Sequence, residues 1–314
     1  MTAGTTGQRP PEPDWLAMTT EDLIAYRDAE NRFRASAAAR AVTGEPDPDA
    51  VLEWRELALP GRALAARVSR PAGPDGGALP LVLHVHGGGF VGTAVQSDWV
   101  TSHLAARLPA VVVSVEHRLV APDHPLPDAV ADGWDALRHL LGNAGQWGID
   151  PARVAVFGES CGGLISALTA IRAREAGLPL RAQVLVNPAV DVTGAMFDHP
   201  SITEYAHTPT LGLPVLRLFR RLAVPPGTDS RALSPLHAGD PGGLAPALVV
   251  VPTHDPVADH GRRYAERLDA AGTPVRLAEY PGAGHAFLST PGLAPQAVAA
   301  RAEILGFLRT SFAA

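Results

Sequence analysis

The sequence contains no lysine, since all 26 of its basic residues are arginines. Reactions that depend on a lysine amine are therefore excluded, among them Schiff-base chemistry, a Ser–Lys dyad and the phosphate-binding lysine of a P-loop. The 32 acidic residues give a formal net charge of −6 and a pI near 6.0. Because the arginines are scattered along the chain, no nucleic-acid partner is expected.

Cysteine is represented by Cys161 alone, which excludes an intramolecular disulfide framework and a multi-thiolate zinc site. Residues 1–14 are polar and proline-rich and lack the apolar core of a signal peptide. No run approaches the roughly 18–20 apolar residues that cross a bilayer. We therefore expect a soluble cytoplasmic protein without a membrane partner.

Aromatic residues make up only 5% of the chain, which gives no indication of a stacking platform for a large planar substrate. Glycine and proline total 61 of 314 residues (31 and 30), below the roughly 25–30% typical of low-complexity chains. With 46% hydrophobic residues the chain can form a large core. The length fits one elaborated α/β domain as well as two domains.

Short apolar runs alternate with helical patterns over most of the chain. The runs predict strands at Val51–Leu59, Leu64–Val68, Leu79–Val85, Ala110–Val115, Val154–Phe157, Val184–Val186, Ala247–Val251 and Val275–Tyr280. Helices are predicted at Asp98–Arg107, Pro127–Leu141, Cys161–Glu175, Asp259–Ala271 and Ala294–Phe312. This alternation is typical of an α/β fold with a mostly parallel sheet and helices on both faces.

Two segments depart from the alternation. Trp15–Val42 predicts one or two helices before the first strand, with Thr19 or Thr20 as N-cap. Asp191–Ala238 has no strand pattern and one short helical stretch, which favours an inserted lid over a structureless loop. We expect N-terminal cap helices in residues 1–45, a catalytic core in 46–190 and 239–314, and a lid insertion in 191–238.

Three predicted strand ends carry residues suited to nucleophilic catalysis. Gly158-Glu159-Ser160-Cys161-Gly162 follows one strand and opens a helix, the setting in which a G-x-S-x-G turn presents a serine nucleophile. Asp255 follows a later strand, and His285 follows the last one. The order Ser160, Asp255, His285 is that of a Ser-Asp-His triad in α/β hydrolases.

A fourth strand end carries His86-Gly87-Gly88-Gly89. A run of glycines lets several backbone N–H groups turn towards one point, as an oxyanion hole for acyl transfer requires. We therefore predict that the amides of Gly88, Gly89 and Cys161 form this hole, with His86, Gly87, Gly158, Glu159 and Gly162 supporting the two motifs.

The motif set resembles the hormone-sensitive-lipase-like family of α/β-hydrolase esterases over about residues 51–310. HGGG, GESCGG, DPV and GAGHAF in this sequence are similar to the HGGG, GDSAGG, DPL and GxxHGF motifs of the family. The resemblance implies an α/β-hydrolase fold with an eight-stranded sheet and a helical cap, and a carboxylesterase that acts on short-acyl esters through an acyl-enzyme. It implies no metal or organic cofactor and a small-molecule ester substrate, and a homodimer is an open alternative for the assembly.

The sequence departs from the family pattern near the site: Glu159 replaces the usual Asp, Cys161 the usual Ala and His117 the usual Tyr, while Val120 reads as an insertion. We expect these changes to alter the wall of the pocket.

Two other functions stay open. One is a tailoring enzyme that removes or transfers an acetyl or similar group of a specialised metabolite, or catalyses its elimination or cyclisation. The other is a ligand-binding protein without turnover. The second would carry a damaged triad.

Other features have simpler interpretations. The His84/His86 pair has no further ligand at metal-binding spacing. Three acidic residues are expected on a solvated helix face or as helix caps: Asp128, Asp132 and Asp135. Three arginines are expected on a solvated face of the lid: Arg217, Arg220 and Arg221.

Two residues are alternatives to the proposed catalytic residues. Cys161 begins a helix, which argues against its being the nucleophile. Asp259 could also be drawn as the triad acid, but it opens a helix, where capping free amides would explain it.

Overall fold

The computed structural model describes residues 8–73 and 77–313. Residues 1–7, part of the predicted N-terminal cap, lie outside the described residues. The eight strands are β1 Ala50–Leu59, β2 Arg62–Pro71, β3 Leu79–Val85, β4 Val111–Val115, β5 Ile149–Glu159, β6 Ala182–Val186, β7 Ala247–His254 and β8 Val275–Gly284. Every predicted apolar run lies in one of them except at Ala110, one residue before β4, and β2, β5 and β8 extend several residues beyond their runs.

The strands form one sheet in the order β1-β2-β4-β3-β5-β6-β7-β8. β1 and β2 form an antiparallel hairpin, β2 pairs antiparallel with β4, and the remaining neighbours are parallel. The eight-stranded, mostly parallel α/β-hydrolase fold predicted from the sequence is confirmed.

The described residues form ten α-helices. They are α1 Thr20–Arg34, α2 Arg40–Thr43, α3 Asp98–Arg107, α4 Leu126–Gly142, α5 Ala144–Trp147, α6 Cys161–Glu175, α7 Pro200–Glu204, α8 Leu213–Ala223, α9 Ala258–Ala270 and α10 Gln296–Ala313. α1 begins where the sequence predicts, because the Thr19 hydroxyl accepts from the Asp22 amide in a capping box.

Helices cover both faces of the sheet because successive side chains of a strand point to opposite faces. In the central strands, Val82 packs with Val100 and Leu104 of α3 and with α10. Its neighbour Leu83 packs with Leu137 of α4 on the opposite face. Most central-strand side chains are fully buried, as the continuous apolar runs predict.

The register brings the carboxyl ends of the central strands together. Val85 of β3 lies opposite Gly158 of β5, and Glu159 of β5 lies opposite Val186 of β6. Val186 in turn pairs with Val250 of β7. The glycine run, the serine turn and the residues that follow β6, β7 and β8 therefore meet at one edge of the sheet.

The segment 191–238 contains more helix than the sequence indicates. It holds a 3₁₀ turn at Gly194–Asp198 and two helices, α7 and α8. Leu216 and Phe219 of α8 are buried, whereas Arg217 and Arg221 are exposed. Arg220 is half-buried and donates to the Thr193 carbonyl at 3.0 Å.

The expectation that Asp132 lies on a solvated face or acts as a cap is wrong. Asp132 is fully buried in α4 and accepts from the Arg62 guanidinium at 2.7 Å and from the Arg118 guanidinium at 2.9 Å. The β1–β2 turn brings Arg62 over α4, an ion pair 70 residues apart in sequence. Helical spacing alone could not reveal this contact.

Within residues 8–73 and 77–313, no helix is both long enough and apolar enough to cross a membrane.

Candidate active site

Ser160 lies on a sharp turn between β5 and α6. It has φ 53° and ψ −117°, a backbone conformation that L-residues rarely adopt. The turn requires glycine on each side, since a side chain at Gly158 would collide with the Gly162 carbonyl and one at Gly162 with the Val85 carbonyl. The turn lifts the Ser160 hydroxyl out of the sheet and into a cavity.

Three side chains predicted from separate strand ends meet at this point. The Ser160 hydroxyl lies 2.8 Å from Nε2 of His285, and Nδ1 of His285 lies 2.8 Å from Oδ2 of Asp255. Asp255 is fully buried and His285 nearly so. The other carboxylate oxygen of Asp255 accepts from the Val257 amide at 3.0 Å, which fixes the orientation of the carboxyl group.

Asp259, the alternative acid, lies away from the histidine. Its Oδ2 accepts from the Ser201 amide at 2.9 Å, and its Oδ1 pairs with Arg262 at 3.0 Å. The prediction that Asp259 caps the helix it opens is wrong, because the amide that it accepts from belongs to α7 in the 191–238 segment. Asp259 thus attaches this segment to α9.

Hydrogen bonds to the carbonyls of the glycine run determine where its amides point. The Gly87 carbonyl accepts from Nε2 of Gln96 at 3.2 Å, and the Gly88 carbonyl accepts from the Val91 amide at 3.1 Å. Since the C=O and N–H of a trans peptide point in opposite directions, the N–H groups of Gly88 and Gly89 point away from these partners. Gly88 has φ +90°, a conformation that favours glycine.

The carboxylate of Glu116, which the sequence analysis did not identify, contacts residues on both sides of the glycine run. Glu116 accepts from the Thr93 hydroxyl at 2.5 Å and from the Ala94 amide at 2.8 Å, and it lies 3.5 Å from Nε2 of His86. Burial alone would raise the pKa of Glu116, but His86, Thr93 and Ala94 outweigh burial and lower it to about 2. The loop around His86 is therefore attached to an ionised group.

Of the four departures from the family pattern, Glu159 and Cys161 line the cavity, whereas His117 and Val120 do not, so the prediction that they alter its wall is wrong. They contact the loop that carries the glycine run instead. His117 stacks on His86 with ring centroids 4.4 Å apart. Val120 is fully buried, and its amide donates to the Gly89 carbonyl at 2.7 Å. The Val120 carbonyl and the Phe90 carbonyl accept from Arg27 of α1, at 2.9 and 2.8 Å. The N-terminal helix thus contacts Phe90, the residue that directly follows the glycine run.

Glu159 connects the serine turn to the histidine loop. Its Oε2 accepts from the hydroxyl of Ser289, four residues after His285, at 2.6 Å. Its Oε1 lies 3.9 Å from His84, whose other ring nitrogen contacts the Ser114 hydroxyl at 2.7 Å. His84 and His86 therefore have different partners, and the described residues contain no cluster of three or more groups that could hold a metal ion.

Cys161 is buried at the first turn of α6 and lines the cavity. Burial raises the pKa of its thiol to about 12, so the thiolate that a cysteine nucleophile needs is scarce at neutral pH.

The cavity has a volume of about 240 Å³. Its wall comes from three parts of the chain: the N-terminal region, the strand ends and the 191–238 segment. Representative lining residues are Trp15, Tyr26, Gly88, Gly89, Ser160, Asn187, Leu211, Phe219 and His285. Asn187 was missed from sequence, although it directly follows a predicted strand, where ligand-binding residues of parallel sheets are expected.

Comparison with known proteins identifies the family. A family profile described as the alpha/beta hydrolase fold matches residues 82–289. The chain belongs to this family. Carboxylesterase NlhH of Mycobacterium tuberculosis is 40% identical over 240 residues, covering 74% of this chain and 73% of the relative. The ethyl acetate hydrolase of Pseudomonas putida is 34% identical over 269 residues, covering 83% and 82%.

Solved structures of esterases have the same fold as this chain. The hyperthermophilic esterase of the archaeon Pyrobaculum calidifontis superposes with a TM-score of 0.83 at 33% identity, covering 92% of this chain and 93% of its own. The resemblance to the hormone-sensitive-lipase-like family is confirmed, and with it the prediction of a carboxylesterase-type hydrolase.

Proposed function

We propose that the protein hydrolyses short-acyl carboxylic esters by nucleophilic catalysis at Ser160. The observation that carries the proposal is the continuous contact from Ser160 through His285 to a buried Asp255, at 2.8 Å in each step. A serine in contact with an imidazole that a carboxylate orients is the arrangement that activates a hydroxyl nucleophile.

In the proposed acylation step, Oγ of Ser160 attacks the ester carbonyl while its proton passes to Nε2 of His285. Asp255 holds the imidazole in the required tautomer and stabilises the imidazolium. The amides of Gly88, Gly89 and Cys161 donate to the oxyanion of the tetrahedral intermediate. When the intermediate collapses, the alcohol leaves with the proton from His285 and the acyl group stays on Ser160.

Deacylation repeats the same steps with water. His285 takes a proton from the water, whose oxygen attacks the acyl carbonyl, and returns it to Ser160 as the carboxylic acid leaves. In every proton transfer of this cycle, His285 exchanges the proton with Ser160, with the leaving alcohol or with water.

The preference for short acyl groups rests on the cavity. About 240 Å³ is below the roughly 300–1,000 Å³ of pockets that enclose drug-sized ligands. Leu211, Leu216 and Phe219 close it from the 191–238 segment, which we propose is the lid of the enzyme. The name of the Pseudomonas putida relative, an ethyl acetate hydrolase, supports an assignment to small esters.

A panel of 4-nitrophenyl esters from two to sixteen carbons tests the proposal with wild type and Ser160→Ala. We expect the two- and four-carbon esters to have the highest kcat/KM. Ser160→Ala should lose at least about 10⁴-fold in kcat on each of them. A higher kcat/KM for the sixteen-carbon ester, or undiminished turnover by Ser160→Ala, would contradict the proposal.

A further inference from the structure

Asn187 is held rigidly beside the proposed nucleophile. It is the first residue after β6, and its amide donates to the Val250 carbonyl of β7 at 2.8 Å. The preceding carbonyl, that of Val186, accepts from the Ser160 amide at 2.9 Å. Asn187 lines the same cavity as Ser160 and His285. Its backbone is thus tied to the serine turn on one side and to β7 on the other.

The side chain of Asn187 makes no hydrogen bond to any residue that the structure describes. The residue is 1% exposed, and neither Oδ1 nor Nδ2 has a partner among residues 8–73 and 77–313. Buried amide groups are almost always hydrogen-bonded, because an unpaired donor or acceptor away from water is costly. The Asn187 side chain therefore satisfies no hydrogen-bonding group among the described residues.

The backbone of Asn187 adds a second cost. Its φ is +36°, in the left-handed region where non-glycine residues are uncommon and where asparagine is tolerated better than most. Glycine would meet the backbone requirement without burying an unpaired amide. The amide has no partner in the described part of the chain, and a ligand bound in the cavity would supply one.

We infer that Asn187 is a specificity-determining residue that hydrogen-bonds a hydroxyl group carried by the ester substrate. The inference deepens the proposed function and rests on it. A primary amide presents a donor and an acceptor, and a hydroxyl can accept from Nδ2 and donate to Oδ1 at the same time. A carboxylate has no donor and an ammonium has no acceptor, so neither satisfies both atoms.

Part of the cavity lining is apolar. Ala189, Val215 and Phe219 line the cavity with apolar side chains. A substrate hydroxyl that missed Asn187 and met these groups would lose its hydration without compensation. The substrate class is therefore a short ester with a hydroxyl group a few bonds from the scissile carbonyl, on the acyl or on the alcohol side.

Matched pairs of esters distinguish the two sides. The acyl arm compares 4-nitrophenyl butyrate with 4-nitrophenyl 3-hydroxybutyrate, and the alcohol arm compares ethyl butyrate with 2-hydroxyethyl butyrate. The measured quantity is the ratio of kcat/KM for the hydroxylated ester to that for the plain ester. Comparing this ratio between variants cancels the intrinsic reactivity of each ester and any general change in catalysis.

We expect the wild-type ratio to exceed that of Asn187→Gly and Asn187→Leu by about tenfold or more in at least one arm, since a site built to hydrogen-bond a hydroxyl discriminates strongly against its absence. Asn187→Gly accommodates the positive φ, and Asn187→Leu keeps the approximate shape without polar atoms. Asn143→Ala is the matched control, because Asn143 caps α4 through the His139 carbonyl and does not line the cavity. It should retain the wild-type ratio.

Ratios that are equal in wild type and folded Asn187→Gly in both arms would overturn the inference. If Asn187→Leu fails to fold, Asn187→Gly alone decides. Failure of the proposed function has a different signature: plain butyrate esters would not be turned over by wild type, or would still be turned over by Ser160→Ala.

Discussion

Backbone strain is concentrated at the residues around the cavity. Among the described residues, the non-glycine positions with positive φ are Ser160, Asn187 and Ala286, which follows His285. All three line the cavity. Such conformations cost about 1–3 kcal/mol each and persist only where the surrounding structure imposes them. Ser160 is the proposed nucleophile, Ala286 follows the proposed base His285, and Asn187 carries the unpaired amide.

Substitution of Asp255 and of Asp259, the two candidates for the acid that orients His285, should have different effects. Asp255→Asn should lower kcat by up to about 10⁴-fold, because an amide cannot stabilise the imidazolium and favours the wrong tautomer of His285. Asp259→Asn should leave kcat nearly unchanged and cost about 1 kcal/mol of stability, because it weakens the bond to the Ser201 amide. Steady-state kinetics and urea unfolding measure both effects. A larger kinetic loss in Asp259→Asn would show that the acid is misassigned.

At the scale of elements, α8 controls the size of the cavity. Phe219 lines the cavity and packs so closely on Gly89 that a side chain at Gly89 would collide with its ring. The same helix directs Leu218 into the core and away from the cavity. Phe219 and Leu218, two of the four buried residues of α8, therefore allow the size of the cavity and the stability of the fold to be tested separately.

Phe219→Ala should shift the acyl-chain preference towards longer esters. We expect kcat/KM for the eight-carbon ester relative to the four-carbon ester to rise about tenfold, since the space left by the ring accepts additional methylene groups worth about 0.8 kcal/mol each. Leu218→Ala is the control: it costs a comparable 2–5 kcal/mol of stability but should leave the chain-length profile unchanged. An unaltered profile in Phe219→Ala would mean that α8 does not bound the acyl site.

The elements show how far sequence reasoning reaches. The strands were predicted well because a parallel sheet buried on both faces leaves continuous apolar runs. The contact among Ser160, Asp255 and His285 was predictable because these residues follow such runs directly. The missed features are contacts between distant segments: Arg62 on Asp132, Arg27 on Val120, and Glu116 near His86. No local pattern encodes such pairs, because the two partners of each pair are far apart in the sequence.

At the scale of the whole molecule, buried histidines make stability depend on pH. Burial lowers the pKa of His117 and of His260 to about 4, and repulsion from a neighbouring histidine adds to the effect in each case. In the unfolded chain both titrate near 6.5. Between about pH 6.5 and 4 the unfolded chain therefore binds more protons than the folded one, and the free energy of unfolding falls as the pH falls.

Urea unfolding between pH 7 and pH 4.5 tests this dependence. Each histidine contributes a slope of up to about 1.4 kcal/mol per pH unit within the window. His117→Tyr removes one titrating group, so its slope should be shallower than that of wild type by up to this amount. Replacing the exposed His207 serves as the control. A slope in His117→Tyr equal to that of wild type would contradict the account of His117 as a buried neutral group.

The central claim is that Ser160 is the nucleophile, and covalent labelling tests it most directly. A fluorophosphonate reacts with activated serines, and intact-mass and peptide mass spectrometry locate the adduct. We predict one equivalent of label on Ser160, with ester hydrolysis lost in proportion to labelling, and no adduct on Ser160→Ala. Labelling at another residue, or full ester hydrolysis by the labelled protein, would contradict the account.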